Sequence, residues 1–310
     1  MKNIIITGSD GNFGSRVVRE IVKLVDKKNL ILTAPIEKGI EGYLKEGFDA
    51  RVANFNHEEG LEKAFAGGDV MLIISAPFVG EKRQNAHKRA IEAAKAAGVK
   101  KIVYTSLVNA RDPQNPSIEK LDHAFTEEYL EKSGLDYIFL RNSQYAEAMV
   151  TSFLTSNGVM TSCQGEGKMA YISRQDCAIA AAYALLKTDL HKAVLNINGP
   201  ELLTLAEFVS KGNKETGMNV TLNNTTDEAM YAAFDAMGVP RTTDGNFKKD
   251  SPAPFSSDGM VTFAQAIRLG KMNSFTDDFE KLTGNKPRTV SFMFAHKDDY
   301  QIGSRNSVDA

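Results

Sequence analysis

The sequence predicts an α/β protein built on a doubly wound parallel sheet, with a smaller C-terminal lobe for a substrate. Three observations carry that expectation. Ile4, Ile5 and Ile6 form a β-branched run suited to a strand buried on both faces. Gly8, Gly11 and Gly14 follow with G-x-x-G-x-x-G spacing, after which Val17, Val18, Ile21 and Leu24 recur at helical intervals. Apolar strand candidates then alternate with helical segments as far as residue 141, and parallel strands need such crossover elements to connect them.

The first element sets the chemistry. A strand, a glycine turn and a helix start form a phosphate cradle: one glycine bends the chain, a second admits a pyrophosphate against the backbone, and a third lets the helix pack on its strand. The phosphates then meet the free N–H groups at the helix N-terminus. Gly8, Gly11, Asn12, Phe13 and Gly14 are therefore candidate cofactor residues, and the fold expected is Rossmann-type.

The later elements follow in order. Residues 30–33 read as a second strand ending at Ala34 and Pro35, a position where an acidic residue would bind the adenosine ribose and an arginine would pair with the extra phosphate of NADP. Neither residue type is present there. The missing basic residue favours NADH, and Arg16, in the first turn of the glycine-loop helix, is the one cation expected to be able to reach a 2′-phosphate. Residues 50–55 read as a third strand, 58–66 as an acidic helix, and 69–75 as a strongly apolar fourth strand. A helix over 85–98 buries Ala86, Ala90, Ile91, Ala94 and Ala97, and strands over 101–106 and 137–141 complete the series. Ligands of such sheets lie outside the strand C-termini. That rule adds Asn54, Ser75, Ala76, Pro77, Tyr104, Thr105 and Ser106 to the cofactor candidates, and it draws attention to residues 141–145.

Beyond residue 150 the alternation fades. An alanine-rich helix is expected over 178–187, a strand over 193–197, and a helix over 204–211 with Thr204 as N-cap and Glu207 completing a capping box. Further helices are expected over 227–237, 262–269 and 275–282, with a frayed polar tail after 298. The expected division is a cofactor domain over 1–150, a substrate lobe over 151–300 with some chain returning to the first domain, and a tail over 301–310.

Composition narrows the function classes. With 310 residues, 42% hydrophobic and 25% charged, the chain has the make-up of an ordinary globule. A net charge of −2 gives no reason to expect nucleic acid or an anionic membrane as partner. The two cysteines, Cys163 and Cys177, lack metal or disulfide spacing and are expected to be reduced and half-buried. The strand that begins at residue 3 leaves no room for a signal peptide, so a cytoplasmic location is expected. The five histidines are scattered without H-E-x-x-H spacing, and Ser106 lacks the glycines of a nucleophile elbow, so neither a metal site nor a hydrolytic nucleophile is expected.

ITGSDGNFG at the N-terminus, AAKAAGVKKIVYTSL, SGLDYIFLRNSQYAE and QGEGKMAYISRQDCA together resemble the NmrA-like atypical short-chain dehydrogenases, most closely their quinone-reductase and triphenylmethane-reductase branch. The resemblance runs from residue 1 to about 285. It implies an extended Rossmann fold, an NAD(P)H cofactor and a cleft between two lobes. Ordinary members of the wider family use a Tyr-x-x-x-Lys pair to deliver a proton. Counting back from SGLDY places Glu119 and His123 there, so that acid is missing.

An electron-poor quinone or extended conjugated carbonyl tolerates that loss, because resonance holds the anion left by hydride transfer until a proton arrives. Catalysis then rests on holding the acceptor against the nicotinamide. His123 is the candidate catalytic residue, as a hydrogen-bond donor to the developing oxyanion. Phe78, Asn142, Gln144, Tyr145 and Lys168 are the candidate acceptor wall, an aromatic face with amide and ammonium groups for oxygens. The expected function is an NAD(P)H-dependent reductase of planar conjugated acceptors: quinones, or a flavonoid- or dye-type aromatic. The alternative is an NmrA-like redox sensor that binds cofactor without turnover. A homo-oligomer is compatible with either reading.

Overall fold

The computed structural model describes residues 2–242 and 255–302. Its first half alternates strand and helix: β1 (Ile4–Ile6), α1 (Asn12–Ile21), β2 (Leu30–Ala34), α2 (Glu37–Lys45), β3 (Asp49–Val52), α3 (Leu61–Phe65), β4 (Val70–Ile73), α4 (Glu81–Ala96), β5 (Lys101–Leu107), α5 (Glu119–Ser133) and β6 (Asp136–Asn142). The second half is mixed: α6 (Ala146–Leu154), β7 (Val159–Ser162), β8 (Lys168–Met169), α7 (Arg174–Leu186), β9 (Ala193–Ile197), β10 (Leu203–Thr204), α8 (Leu205–Thr216), β11 (Thr221–Asn224), α9 (Asp227–Ala236), α10 (Ser257–Arg268), α11 (Asp278–Thr283) and α12 (Val290–Ala295).

The strand order β3-β2-β1-β4-β5-β6-β9 is parallel throughout, so the chain reverses direction across the sheet between β1 and β4. A crevice opens at that reversal, outside the strand C-termini. Ile4, Ile5 and Ile6 are buried because helices cover both faces. On one face Val17, Val18 and Ile21 of α1 share a core with Ala178, Ala181 and Ala182 of α7, whose small side chains let the two helices approach. Each fully buried Val or Ile stabilises by roughly 1.5–3 kcal/mol. The other face carries Leu61, Phe65, Ala90, Ile91 and Leu130. A separate core of Phe153, Tyr171, Phe208 and Phe294 holds the C-terminal lobe.

Several boundaries differ from expectation for local reasons. The third strand stops at Val52 instead of running to 55, because the Asn54 side chain accepts the Asn56 N–H at 2.9 Å and turns the chain. The expected 58–66 helix shrinks to α3 because Gly60, at φ 83°, blocks an earlier start. The 85–98 helix begins earlier, at Glu81, and the expected 262–269 helix begins at Ser257, where the Ser256 hydroxyl accepts the Gly259 N–H. The expected start at 275 moves to Asp278, because the Thr276 side chain is spent on Asn196 O and Asn198. The 204–211 helix extends to Thr216 and carries the capping box of Thr204 and Glu207. β9 joins the main sheet beside β6, so residues 174–197 pack with the first domain. Both cysteines are fully buried, not half-buried, and unpaired. Residues 303–310 of the expected tail lie outside the described residues.

Candidate functional site

The turn after β1 is built as the glycines require. Gly8 adopts φ +57°, and a Cβ at Gly14 would stand 2.0 Å from the Gly8 carbonyl oxygen, so α1 can lie on the loop only with glycine there. The Ser15 N–H is bonded to Gly11 O at 2.9 Å, which leaves the N–H groups of Asn12, Phe13 and Gly14 without intrahelical partners. The loop is tied to both neighbouring strands: Ser9 N and Oγ donate to Thr33 O, and Thr7 Oγ1 donates to Leu72 O at 2.8 Å.

A cleft of about 290 Å³ opens over this turn. It is lined by Gly8, Asp10, Gly11, Asn12, Phe13 and Gly14 from the loop, by Thr7 and Pro35, by Ala53, Asn54, Phe55 and Asn56 after β3, and by Ile74, Ser75, Ala76, Pro77 and Phe78 after β4. Gly8, Gly11, Asn12, Phe13, Gly14, Asn54, Ser75, Ala76, Pro77 and Phe78 are thus brought together. Asp10 lies inside the glycine motif and Pro35 at the expected ribose position, whereas Thr7, Ala53, Phe55, Asn56 and Ile74 were not anticipated.

The wall after β4 is clamped from behind. The Ala76 N–H donates to Nε2 of His87 at 2.9 Å, so the His87 proton lies on Nδ1 and is given to Thr126 Oγ1, which in turn donates to Asp122 O. Arg83 Nε donates to Ala76 O, and the Gly80 N–H donates to Asp122 Oδ2 at 2.8 Å. The sequence carried no signal for these contacts, which join residues from separate helices.

Burial and the Arg83 cation push His87 down to about 3, and they move His123 in the same direction. Above pH 6.5 both folded and unfolded chains hold His87 neutral, and its contribution is intact. Below that value the unfolded chain binds a proton that the folded chain refuses, so stability is lost toward pH 3 at up to ~1.4 kcal/mol per pH unit. Urea denaturation at a series of pH values should show this decline, and His87→Leu should flatten it while lowering stability at neutral pH. An unchanged acid slope in the variant would assign acid sensitivity to other groups.

Other candidates support the site without lining it. Tyr104 is fully buried and its hydroxyl meets Nδ1 of His123 at 2.9 Å. Thr105 Oγ1 accepts the Ser75 N–H at 2.8 Å, and Ser106 Oγ donates to Glu127 at 2.6 Å. Tyr145 lies behind Phe13, ring centroids 6.3 Å apart, with the Arg174 guanidinium 5.5 Å from its ring. Its hydroxyl accepts from Asn142 Nδ2, and burial raises the hydroxyl's pKa, which removes it as a ready acid. Lys82 caps the Phe78 ring at 4.3 Å. Asn142 Oδ1, Ser143 Oγ and Gln144 Oε1 are buried without partners at the end of β6. Such groups in a folded protein call for a ligand or water.

Two expectations are corrected by placement. Lys168 stands apart from the cleft: it is exposed, it pairs with Thr204 in β10, and it lies in the field of Glu207. Arg16 bonds to Asn12 Oδ1 and Gln175 Oε1, so it faces α7, away from the β2 tip where a 2′-phosphate would lie. No group of His, Cys, Asp and Glu among the described residues is placed to hold a metal, and no helix there is long and apolar enough to cross a membrane.

A parallel sheet with this switch point, glycine cradle and free helix N–H groups defines a dinucleotide-binding α/β protein. Comparison with known proteins makes the class specific. A family model described as NAD(P)H-binding matches residues 8–188. Quinone oxidoreductase 2 of Escherichia coli is 32% identical over 239 residues, covering 76% of this chain and 82% of its own. The structure of the E. coli NADPH-dependent quinone oxidoreductase complexed with NADPH superposes with TM-score 0.85 at 28% identity, over 95% of this chain and 99% of that one. A Citrobacter triphenylmethane reductase structure gives TM-score 0.82 at 26% identity, with 95% and 99% coverage. The chain belongs to the NAD(P)H-binding family, in the NmrA-like, quinone-reductase branch of the atypical short-chain dehydrogenases, and it is an NAD(P)H-dependent oxidoreductase.

Proposed function

We propose that the protein reduces planar conjugated acceptors, quinones first, with NADH as the preferred donor. Flavonoid- and dye-type aromatics share the flat, oxygenated chemistry that the site would accept. The observation that carries the reading is an aromatic cleft lining of Phe13 and Phe78, with Tyr145 behind Phe13 and partnerless side-chain oxygens on Asn142, Ser143 and Gln144 at the end of β6, while Glu119 and His123 stand where the resemblance puts the tyrosine–lysine pair. The glycine turn and the N–H groups of α1 would hold the pyrophosphate, and the β6-end polar groups suit an amide such as the nicotinamide carboxamide. When bound, the cofactor supplies hydride.

The chain's own residues position and desolvate the acceptor. Neutral His123 has Nδ1 engaged by Tyr104, so Nε2–H is the ring group left to donate to an acceptor oxygen. The final proton comes from solvent. The absence of Arg or Lys at Ala34 and Pro35 supports NADH.

The test is absorbance of NADH or NADPH with purified protein and a panel of quinones, flavonoids and cationic dyes. Oxidation that requires both protein and acceptor supports the reading. His123→Phe should then lower turnover several-fold, and wild-type turnover should show no inflection near pH 6.5. Tight cofactor binding without oxidation by any acceptor would favour a redox sensor.

A further inference from the structure

We propose that Asp10, in the glycine loop, determines the choice of NADH over NADPH by occupying the corner where a 2′-phosphate would sit. The proposal deepens the NADH reading above and rests on it. In dinucleotide-binding folds the ribose is sensed at the tip of β2, where an acidic side chain accepts from its hydroxyls. Here the tip holds Ala34 and Pro35, which offer no side-chain acceptor.

The carboxylate arrives from β1's side instead. Asp10 lines the cleft together with Pro35, and its position relative to α2 is fixed by Gly39: a Cβ there would stand 2.7 Å from Asp10 Oδ2 and 2.7 Å from the Ala34 Cβ. The absent side chain at Gly39, third residue of α2, is therefore what admits the carboxylate to the corner between the β2 tip and the first turn of α2. The positive end of that helix favours an anion there.

The loop is held in this place rather than resting there. Tyr43 of α2 donates its hydroxyl to Ser9 O at 2.7 Å, and Ser9 is bonded to Thr33 O through both N and Oγ. Burial, and after it the nearby Asp10 carboxylate, raise the Tyr43 pKa, in keeping with a shared, partly desolvated corner.

Two effects follow from one carboxylate. It can accept hydrogen bonds from the ribose hydroxyls of NADH, and it repels the added charge of a 2′-phosphate. No Lys or Arg is among the described residues that line the cleft, and the first turn of α2 carries Glu37 and Lys38 together, so its side chains add no net positive charge. Arg16 is turned toward α7, where it bonds to Gln175 Oε1.

The test measures equilibrium binding of NADH and NADPH by nicotinamide fluorescence, without acceptor, on the wild type, Asp10→Asn and Asp10→Ser. Melting curves check that each variant is folded, and Asp10→Asn keeps the side chain's shape should Asp10→Ser disturb the loop. The wild type should bind NADH at least about tenfold more tightly than NADPH, as expected of one charge-assisted contact. Both variants should shrink that ratio by about tenfold, Asp10→Asn chiefly by improving NADPH binding and Asp10→Ser also by weakening NADH. A wild type that binds NADPH as well as NADH would overturn both the NADH reading and the role of Asp10. A wild type that prefers NADH, with folded variants of unchanged ratio, would overturn the role of Asp10 alone. Neither result depends on which acceptor is reduced.

Discussion

Gly14→Ala should lose reduced-nicotinamide binding by about two orders of magnitude, since the third glycine of the turn sets how closely the helix meets the phosphate loop. The added Cβ would lie 2.0 Å from the Gly8 carbonyl oxygen and 2.8 Å from the Ser9 Cα. Both contacts are backbone, which cannot swing aside as the end of a long side chain can. The helix must lift, and the N–H groups of Asn12, Phe13 and Gly14 move with it. Overpacking of this kind also destabilises by roughly 1–3 kcal/mol. Gly42→Ala is the control: it places a methyl in a helix where nothing stands within 4 Å, so stability should hold or rise. Fluorescence titration with NADH, beside melting curves, checks both variants. Wild-type affinity in Gly14→Ala would mean that the loop does not hold the pyrophosphate.

Glu127→Ala should cost about 3 kcal/mol, the low end of the penalty for breaking a buried pair, because the stranded Arg141 side chain keeps 18% exposure. Glu127 is fully buried on α5, and its oxygens take Nε and Nη2 of Arg141 at 2.9 and 2.6 Å. One of them also accepts from Ser106 Oγ. The carboxylate therefore joins α5 to the C-terminal ends of β5 and β6, near the unpartnered side-chain oxygens of Asn142 and Gln144. Urea denaturation should show the loss, and Glu127→Leu combined with Arg141→Met should recover much of it because no charge is then stranded. A loss below about 1 kcal/mol in the single variant would place the pair among contacts of little net worth.

Much of this molecule was legible from residue order. The isoleucine run, the three glycines spaced three apart and the 3.6-period apolar faces of α1 and α4 are each written within a few neighbouring residues. They yielded the parallel sheet and the phosphate turn, and with the strand-end rule and the acceptor-wall reading they named ten residues that line the cleft. The seventh strand was legible as a strand, yet its place beside β6 was not.

Side-chain direction separates the remaining candidates. Tyr104 stands mid-strand in β5 and Thr105 and Ser106 just before its end, and their side chains meet His123, the Ser75 N–H and Glu127. Lys168 carried a suitable charge in a stretch that resembles the family, and pairing with β10 set it elsewhere. His87 was not singled out in the sequence, where it falls within the helix expected over 85–98. Only the packing of α4 against α5 and the β4 loop turns it into the clamp on Ala76.

The sequence by itself determined the fold class and the glycine turn, because each is written in residue type at short spacing, and the missing tyrosine–lysine acid is what the family resemblance implied. The tertiary structure alone decided which distant groups meet: Asp10 with the corner of β2 and α2, Arg16 with α7, and Glu127 with Arg141 and Ser106. Those meetings depend on strand order and helix packing across separations that no local period records, and they set the electrostatics of the site.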